Sequence, residues 1–332
     1  MDSRSEQLFE KNRDYILDKA GGFHGISKKE LTKLGSFESL VFEFERDGES
    51  HILKLTHSIH RSRDQVMGEV EWIDHLRANG VPVCEVIPSN NDNAVETIEV
   101  EDSYFIAYAF EKAPGNHAQK GQWSDDFILV WGETLGRIHA ATKTFRPSRE
   151  PYRRFQWYDD DTLKAEKYIS KDQSEVIKKI EGHKSTLCKL PTDNNSYGLI
   201  HSDLHNWNFY VHNGGIYIFD TDDCHYNWLA YDIGIPLYYA LRTAEIGDDN
   251  IEYARYFFRL FMKGYRKEND IDPVWITRIP DFMKLREMDL YIIIMKEDIA
   301  DENDWCRRFM KGRREKIEND VPFLDIDFSE FC

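Results

Sequence analysis

The stretch His201-Ser202-Asp203-Leu204-His205-Asn206-Trp207-Asn208, followed by Ile218-Phe219-Asp220, decides the reading of this chain. Asn208 stands five positions after Asp203, and Asp220 stands twelve after Asn208. The intervening residues read as a tight hairpin. Phe209-Tyr210-Val211 is one short apolar strand and Ile216-Tyr217-Ile218-Phe219 is its partner, with His212-Asn213-Gly214-Gly215 as a turn whose glycines accept positive φ. Such a hairpin brings its two ends together, so that Asn208 and Asp220 offer two hard oxygen ligands side by side. Asp203 lies one loop earlier. Three groups of this kind suit a bound Mg²⁺ and an oriented hydroxyl.

The same order of groups serves phosphoryl transfer in the protein-kinase fold. This chain has His-x-Asp where protein kinases have His-Arg-Asp, and Asp220-Thr221-Asp222 where they have Asp-Phe-Gly. Together with Tyr231-Asp232-Ile233, the wording resembles the aminoglycoside phosphotransferase and choline kinase superfamily, most specifically over residues 198–234. The family usually has glycine where Ser202 stands. The resemblance implies that Asp203 accepts the proton of the acceptor hydroxyl and that Asn208 and Asp220 hold Mg²⁺. It also implies that Asp232, with His201, braces the catalytic loop. Asp222 is a second candidate metal ligand or a surface carboxylate. A competing reading takes His201, Asp203 and His205 as the ligands of a zinc hydrolase, which leaves Asn208 and Asp220 unexplained.

Upstream, Leu40–Phe44 and His51–Leu55 read as strands joined at Asp47-Gly48, after a small-residue loop, Gly35 to Ser39, whose Ser36 and Phe37 are candidates for phosphate contact. Lys54 lies inside the second apolar strand, and a lysine is rarely buried without a partner. Over Arg61–Asn79 a helical period of about 100° per residue places Val66, Val70, Ile73 and Leu76 on one face. Glu69 falls in that stripe and Glu71 opposite it. A Lys54–Glu69 ion pair is therefore expected, and it resembles the pair that sets the lysine on ATP phosphates in kinases. The alternative is a Lys54 that snorkels to water. Ala94–Val100 and Ser103–Phe110 read as a hairpin, and the Glu111-to-Gly115 stretch as a lobe boundary. By resemblance this hinge, including Ala109 and Glu111, offers backbone groups to adenine.

Further on, an N-terminal helix is expected over residues 6–20, ended by Gly21-Gly22, and a helix over Trp123–Phe145 capped by Ser124. His139, within that helix, reads as structural. A long charged helix is expected over 160–189, with others over 247–268, 282–300 and 301–318.

The chain has 332 residues, 41% of them apolar, and a net charge of −17. The acidity disfavours nucleic acid and suits either simple solubility or a cationic substrate. No apolar run is long enough for a membrane span, and the charged start, Met1 to Glu6, is unlike a signal peptide. Five scattered cysteines without a Cys-x-x-Cys pair read as reduced cytoplasmic thiols. No sequence feature specifies an oligomer.

The expected fold is thus α+β with two lobes, protein-kinase-like. Residues 1–110 form an N-lobe with a five-stranded antiparallel sheet, positioning nucleotide phosphates. Residues 111–332 form a mainly helical C-lobe with hinge, catalytic loop, metal site and acceptor pocket. The expected activity is ATP- and Mg²⁺-dependent transfer of the γ-phosphoryl group to a hydroxyl of a small molecule such as an aminoglycoside or amino alcohol. A protein Ser/Thr kinase, a homoserine kinase, a non-catalytic nucleotide-binding regulator and the metallo-hydrolase are the alternatives.

Overall fold

The computed structural model describes residues 3–36, 38–118, 123–159, 163–243 and 250–332. The chain divides into two compact units. The first comprises Met1–Asn116, Thr144–Arg154 and Phe209–Asp222, and the second His117–Lys143, Phe155–Asn208 and Asp223–Cys332. The expected single break at 110/111 is replaced by several crossings, because two downstream segments are built into the first unit.

The sheet of the first unit contains β1 (Thr32–Ser36), β2 (Leu40–Arg46), β3 (Glu49–His57), β4 (Val86–Ile87), β5 (Glu96–Val100) and β6 (Ser103–Glu111). It is antiparallel in the order β1-β2-β3-β6-β4, with β5 also on β6, giving six strands where five were expected. The strands that the sequence reading did not name are β1, which takes in Gly35 and Ser36 of the expected loop, and the two-residue β4, too short to carry an alternation signal.

Helix α1 (Ser3–Phe23) lays Leu8, Phe9, Ile16 and Ala20 into one core with the sheet residues Leu40, Phe42, Phe44, Leu53, Leu55 and Phe105. It runs through Gly21-Gly22 instead of stopping there. Gly21 is kept by close approach, since a Cβ at that position would lie 2.7 Å from the Ile26 carbonyl oxygen. Helix α2 (Arg63–Ala78) begins in a capping box, where the Ser62 side chain accepts from Gln65 N and Gln65 returns the contact to Ser62 N.

A second hairpin, β8 (Phe209–His212) and β9 (Gly215–Ile218), completes this unit; β7 is Tyr197–Ile200, in the second. Asn213 (φ 49°) and Gly214 (φ 77°) form its turn, as the sequence predicts. Cys84 N donates to the Ile218 carbonyl at 3.0 Å and Ile218 N to the Pro82 carbonyl at 2.8 Å, tying the hairpin to the chain after α2.

The second unit contains β7 paired with β10 (His225–Trp228) and a set of helices. These are α3 (Asp125–Thr142), α4 (Ala165–Tyr168), α5 (Ser174–Leu187), α6 (Leu229–Thr243), α7 (Ile251–Tyr265), α8 (Pro273–Ile276), α9 (Ile279–Glu297), α10 (Asp304–Met310) and α11 (Arg313–Glu318). Gly132 of α3 and Gly264 of α7 allow these two helices to touch through their backbones. A Cβ on either would lie 2.0 Å from a carbonyl oxygen of the other helix, that of Phe261 or Leu129.

The long helix expected over 160–189 is broken, because Ile169 and Ser170 leave helical geometry between α4 and α5; residues 160–162 lie outside the described residues, as do 247–249 of the helix expected to start there. The helix expected over 301–318 divides at Gly312, whose φ of 66° ends α-geometry. Among the described residues no helix is long and apolar enough to cross a membrane.

Candidate active site

In the first unit, β3 carries Lys54 between β2 and β6, opposite Val41 and Tyr108. Lys54 is buried at 8% exposure, yet charged partners surround it. Its Nζ donates to Asp220 Oδ1 at 2.9 Å and stands 3.8 Å from Asp222 Oδ2. Burial works against its charge, but Asp220 and then Asp222 hold its pKa well above the ordinary lysine value.

The expected direct Lys54–Glu69 pair is not formed. Glu69 is buried on α2 as predicted, but one of its oxygens accepts from the Thr221 hydroxyl at 2.6 Å and the other has no hydrogen-bond partner. Burial, together with the neighbouring Asp222 charge, raises the Glu69 pKa, and Lys54 and Arg154 offset this only in part. The hairpin delivers Asp220-Thr221-Asp222 to the lysine, and its two carboxylates take the place expected for Glu69. Glu71 lies on the opposite face, where it accepts from Ser148 N at 2.9 Å.

Asp220 and Asp222 differ in environment. The Asp220 side chain is 55% exposed, takes φ 59°, and among the described residues spends only Oδ1, on Lys54. That leaves a hard oxygen for a divalent ion. Asp222 is buried and ringed by basic side chains. His60 Nε2 is 2.9 Å from Oδ2, Arg61 Nε is 3.4 Å from Oδ1, and the backbone carbonyl of Asp222 accepts from Arg61 and Arg154. Burial opposes ionisation, but Lys54, Arg61 and His60 prevail and keep its carboxyl well below the usual range. Glu38, His60 and Asp222 also lie close enough to share a metal ion, although Lys54 and Arg61 would repel one there. Asp222 thus fits an anchor for Lys54 and Arg61 better than a second metal ligand.

The other cofactor candidates fare unevenly. Ser36 ends β1, and Phe37 lies outside the described residues. Ala109 sits inside β6 with Leu53 on one side and Ile87 on the other, its side chain in the core. It is therefore a sheet residue, not a hinge residue. Glu111 is also held, its N–H donating to the Glu85 carbonyl at 2.9 Å and its carboxylate accepting from Arg77 at 3.3 Å. Lys112 is held as well, its N–H donating to the Ser50 carbonyl at 3.2 Å.

In the second unit, the loop that begins at His201 hangs from Asp232 at the start of α6. This fully buried carboxylate accepts from His201 N at 3.1 Å and Ser202 N at 2.9 Å, and His139 Nε2 lies 3.1 Å away. Ser202 adopts φ 73°, a conformation glycine takes without cost, which explains why the family prefers glycine there. His139 is structural as expected, joined also to the Tyr265 hydroxyl at 2.9 Å. His201 contributes its backbone to the brace, and its Nδ1 accepts from Asp203 N at 3.4 Å.

Asp203 is engaged on both oxygens. Asn208 Nδ2 donates to Oδ2 at 3.0 Å and to the Asp203 carbonyl at 2.9 Å, His205 Nε2 lies 3.2 Å from Oδ2, and Arg286 of α9 donates to Oδ1. Burial would raise the Asp203 pKa, but His205 and Arg286 bring it down to about 2. With its amide nitrogen spent on Asp203, Asn208 keeps its oxygen for a metal. His201, Asp203 and His205 do not assemble a three-ligand group, which removes the hydrolase reading. The sequence reading missed Arg286, one of several charged residues that alternate with apolar ones along α9, so that no single charge stands out there as Lys54 does in its strand.

Comparison with known proteins agrees with this geometry. The model of the "Phosphotransferase enzyme family" matches residues 30–269. Amicoumacin kinase of Bacillus subtilis (strain 168) is 35% identical over 321 residues, 96% of each chain. The amicoumacin kinase hAmiN, solved in complex with AMP-PNP, Ca²⁺ and Ami, superposes with a TM-score of 0.94 at 32% identity over 100% of both chains. A microcompartment-associated aminopropanol kinase shares the fold, with a TM-score of 0.73 at 18% identity over 92% of this chain and 96% of its own.

Proposed function

The chain belongs to the phosphotransferase enzyme family, and on that premise we propose that it transfers the γ-phosphoryl group of ATP to a hydroxyl of amicoumacin or a close analogue. That it is a small-molecule phosphotransferase using ATP and a divalent metal follows from its relatives. The choice of amicoumacin is supported above all by likeness to amicoumacin kinases along the whole chain. The net charge of −17 suits a cationic acceptor.

Each residue has a role in this reading. Asp203 takes the proton of the acceptor hydroxyl as the acceptor O–P bond forms and the bond between the γ-phosphorus and the bridging oxygen breaks, releasing ADP. A carboxylate with a pKa of about 2 is a weak base, so its contribution lies mainly in orienting the hydroxyl and receiving the proton late. Lys54, kept charged by Asp220 and Asp222, neutralises phosphate. Asp220 and Asn208 would hold the divalent ion, which neutralises charge on the transferring group. Asp232 holds the loop and Glu69 supports the cluster around Lys54. Catalysis then rests on positioning and charge neutralisation.

The test is direct. Purified protein with Mg-ATP is offered amicoumacin, spectinomycin, aminopropanol and choline, and phosphorylated product is measured by mass spectrometry. An eighty-dalton gain on amicoumacin, about the mass of one phosphoryl group, is the expected result. Preferential phosphorylation of another acceptor overturns the assignment.

A further inference from the structure

Arg286 meets Asp203 across 83 positions of sequence, from a helix that has no part in the family motif. Its guanidinium is buried and bridges several groups. Nη2 donates to Asp203 Oδ1 and to the Tyr239 hydroxyl at 2.6 Å, and Nη1 donates to Asp289 Oδ2 at 3.1 Å. The guanidinium also lies 5.4 Å from the Tyr239 ring centre, and that ring packs on His205 with centroids 4.4 Å apart. Tyr239 and Asp289 thus hold the arginine, and the arginine holds the aspartate.

An ionised carboxylate offers about four lone-pair positions. Arg286 fills one on Oδ1 and Asn208 one on Oδ2, and the His205 ring nitrogen crowds Oδ2 at 3.2 Å. What remains for an incoming hydroxyl is confined to the directions these three side chains leave open. An aspartate free to rotate can turn its oxygens to whatever hydroxyl diffuses in, water included. A clamped aspartate serves only a hydroxyl that the bound acceptor places in the directions left open. Lysine cannot replace the clamp, because one ammonium point charge does not reproduce a planar fork between two carboxylates.

We infer that Arg286 is the positioning residue for Asp203, and that its clamp sets the preference of the enzyme for an acceptor hydroxyl over water. This rests on the reading of Asp203 as the group that receives the hydroxyl proton. The reaction is otherwise unchanged. With water, the O–H proton goes to the same carboxylate and inorganic phosphate is the product.

The experiment measures two rates on the full chain with Mg-ATP, phosphorylation of amicoumacin and ATP hydrolysis without acceptor. It compares the wild type with Arg286→Met, Arg286→Lys and Asp289→Asn. Arg286→Met should lose about 10- to 100-fold in kcat for amicoumacin, the usual cost of removing a group that orients a functional ligand, with KM for ATP unchanged, while acceptor-free hydrolysis rises. Arg286→Lys should fail to restore the ratio of the two rates, and Asp289→Asn should shift it in the same direction by less.

A wild-type kcat in Arg286→Met overturns the inference. So does a parallel fall of both rates in Arg286→Met and Arg286→Lys, which would mark a residue that only supports the fold. If the wild type ignores amicoumacin, the acceptor assignment fails separately. The hydrolysis arm then still decides Arg286, since a rate that does not rise in Arg286→Met overturns it.

Discussion

Lys54→Met removes the charge from the buried cluster of the first unit and keeps most of the side-chain volume. The geometry assigns the consequences unequally. At 3.8 Å, and with an effective dielectric constant of about 20, the Lys54–Asp222 attraction is about 4 kcal/mol before desolvation. Lys54–Asp220 is shorter, 2.9 Å, but the Asp220 side chain is 55% exposed. Solvent screening cuts its worth to about 1 kcal/mol or less. Leaving a buried charge unpaired costs about 3–5 kcal/mol. Because Arg61 and His60 still face Asp222, the low end, about 3 kcal/mol, is expected for Lys54→Met. A double-mutant cycle separates the partners. Lys54→Met combined with Asp222→Asn should show a coupling of about 1–3 kcal/mol, whereas Lys54→Met combined with Glu69→Gln should stay below about 0.5 kcal/mol. Urea unfolding of the single and double variants supplies the values, provided the m-value is constant across each cycle. A Lys54–Glu69 coupling equal to or larger than that of Lys54–Asp222 would refute the assignment of partners.

Three other outcomes are expected. Asp203→Asn should reduce kcat by about 10²–10⁴ while Mg-ATP still binds by calorimetry, and near wild-type turnover would remove Asp203 from its role. His24 is buried, and burial with the nearby Arg46 charge lowers its pKa to about 4. The unfolded chain then binds more protons between about pH 6.5 and 4, so stability should fall as pH drops through this window, by at most about 1.4 kcal/mol per pH unit; a His24→Gln variant with an identical unfolding slope over this range would contradict it. Gly264→Ala forces a methyl group against the Leu129 carbonyl and should cost at least about 1–3 kcal/mol, read as a drop in thermal midpoint, and an unchanged midpoint would mean that the two helices separate freely.

What the sequence could tell was local. The contact of Asp203 with Asn208 and the Asn213-Gly214 turn follow from short spacings, and the Ser124 cap from the Ser-Asp-Asp that precedes an apolar period. The burial of Lys54 and Glu69 follows from strand and helix periods, because a repeat of two or 3.6 residues fixes which side of an element faces the core. The resemblance supplied the role of Asp232, whose contacts with the loop the structure displays.

Periodicity says that a charge is buried and leaves its partner undetermined. Lys54 meets Asp220 and Asp222 because the hairpin is hydrogen-bonded to Pro82 and Cys84, an arrangement of segments more than a hundred residues apart. Ala109 is enclosed by strands on both sides because the short β4 pairs with β6. Arg286 reaches Asp203 because α6 and α9 pack together. A buried charge takes the counter-charge that packing brings within hydrogen-bond range, and over long sequence separations only the tertiary structure sets that distance.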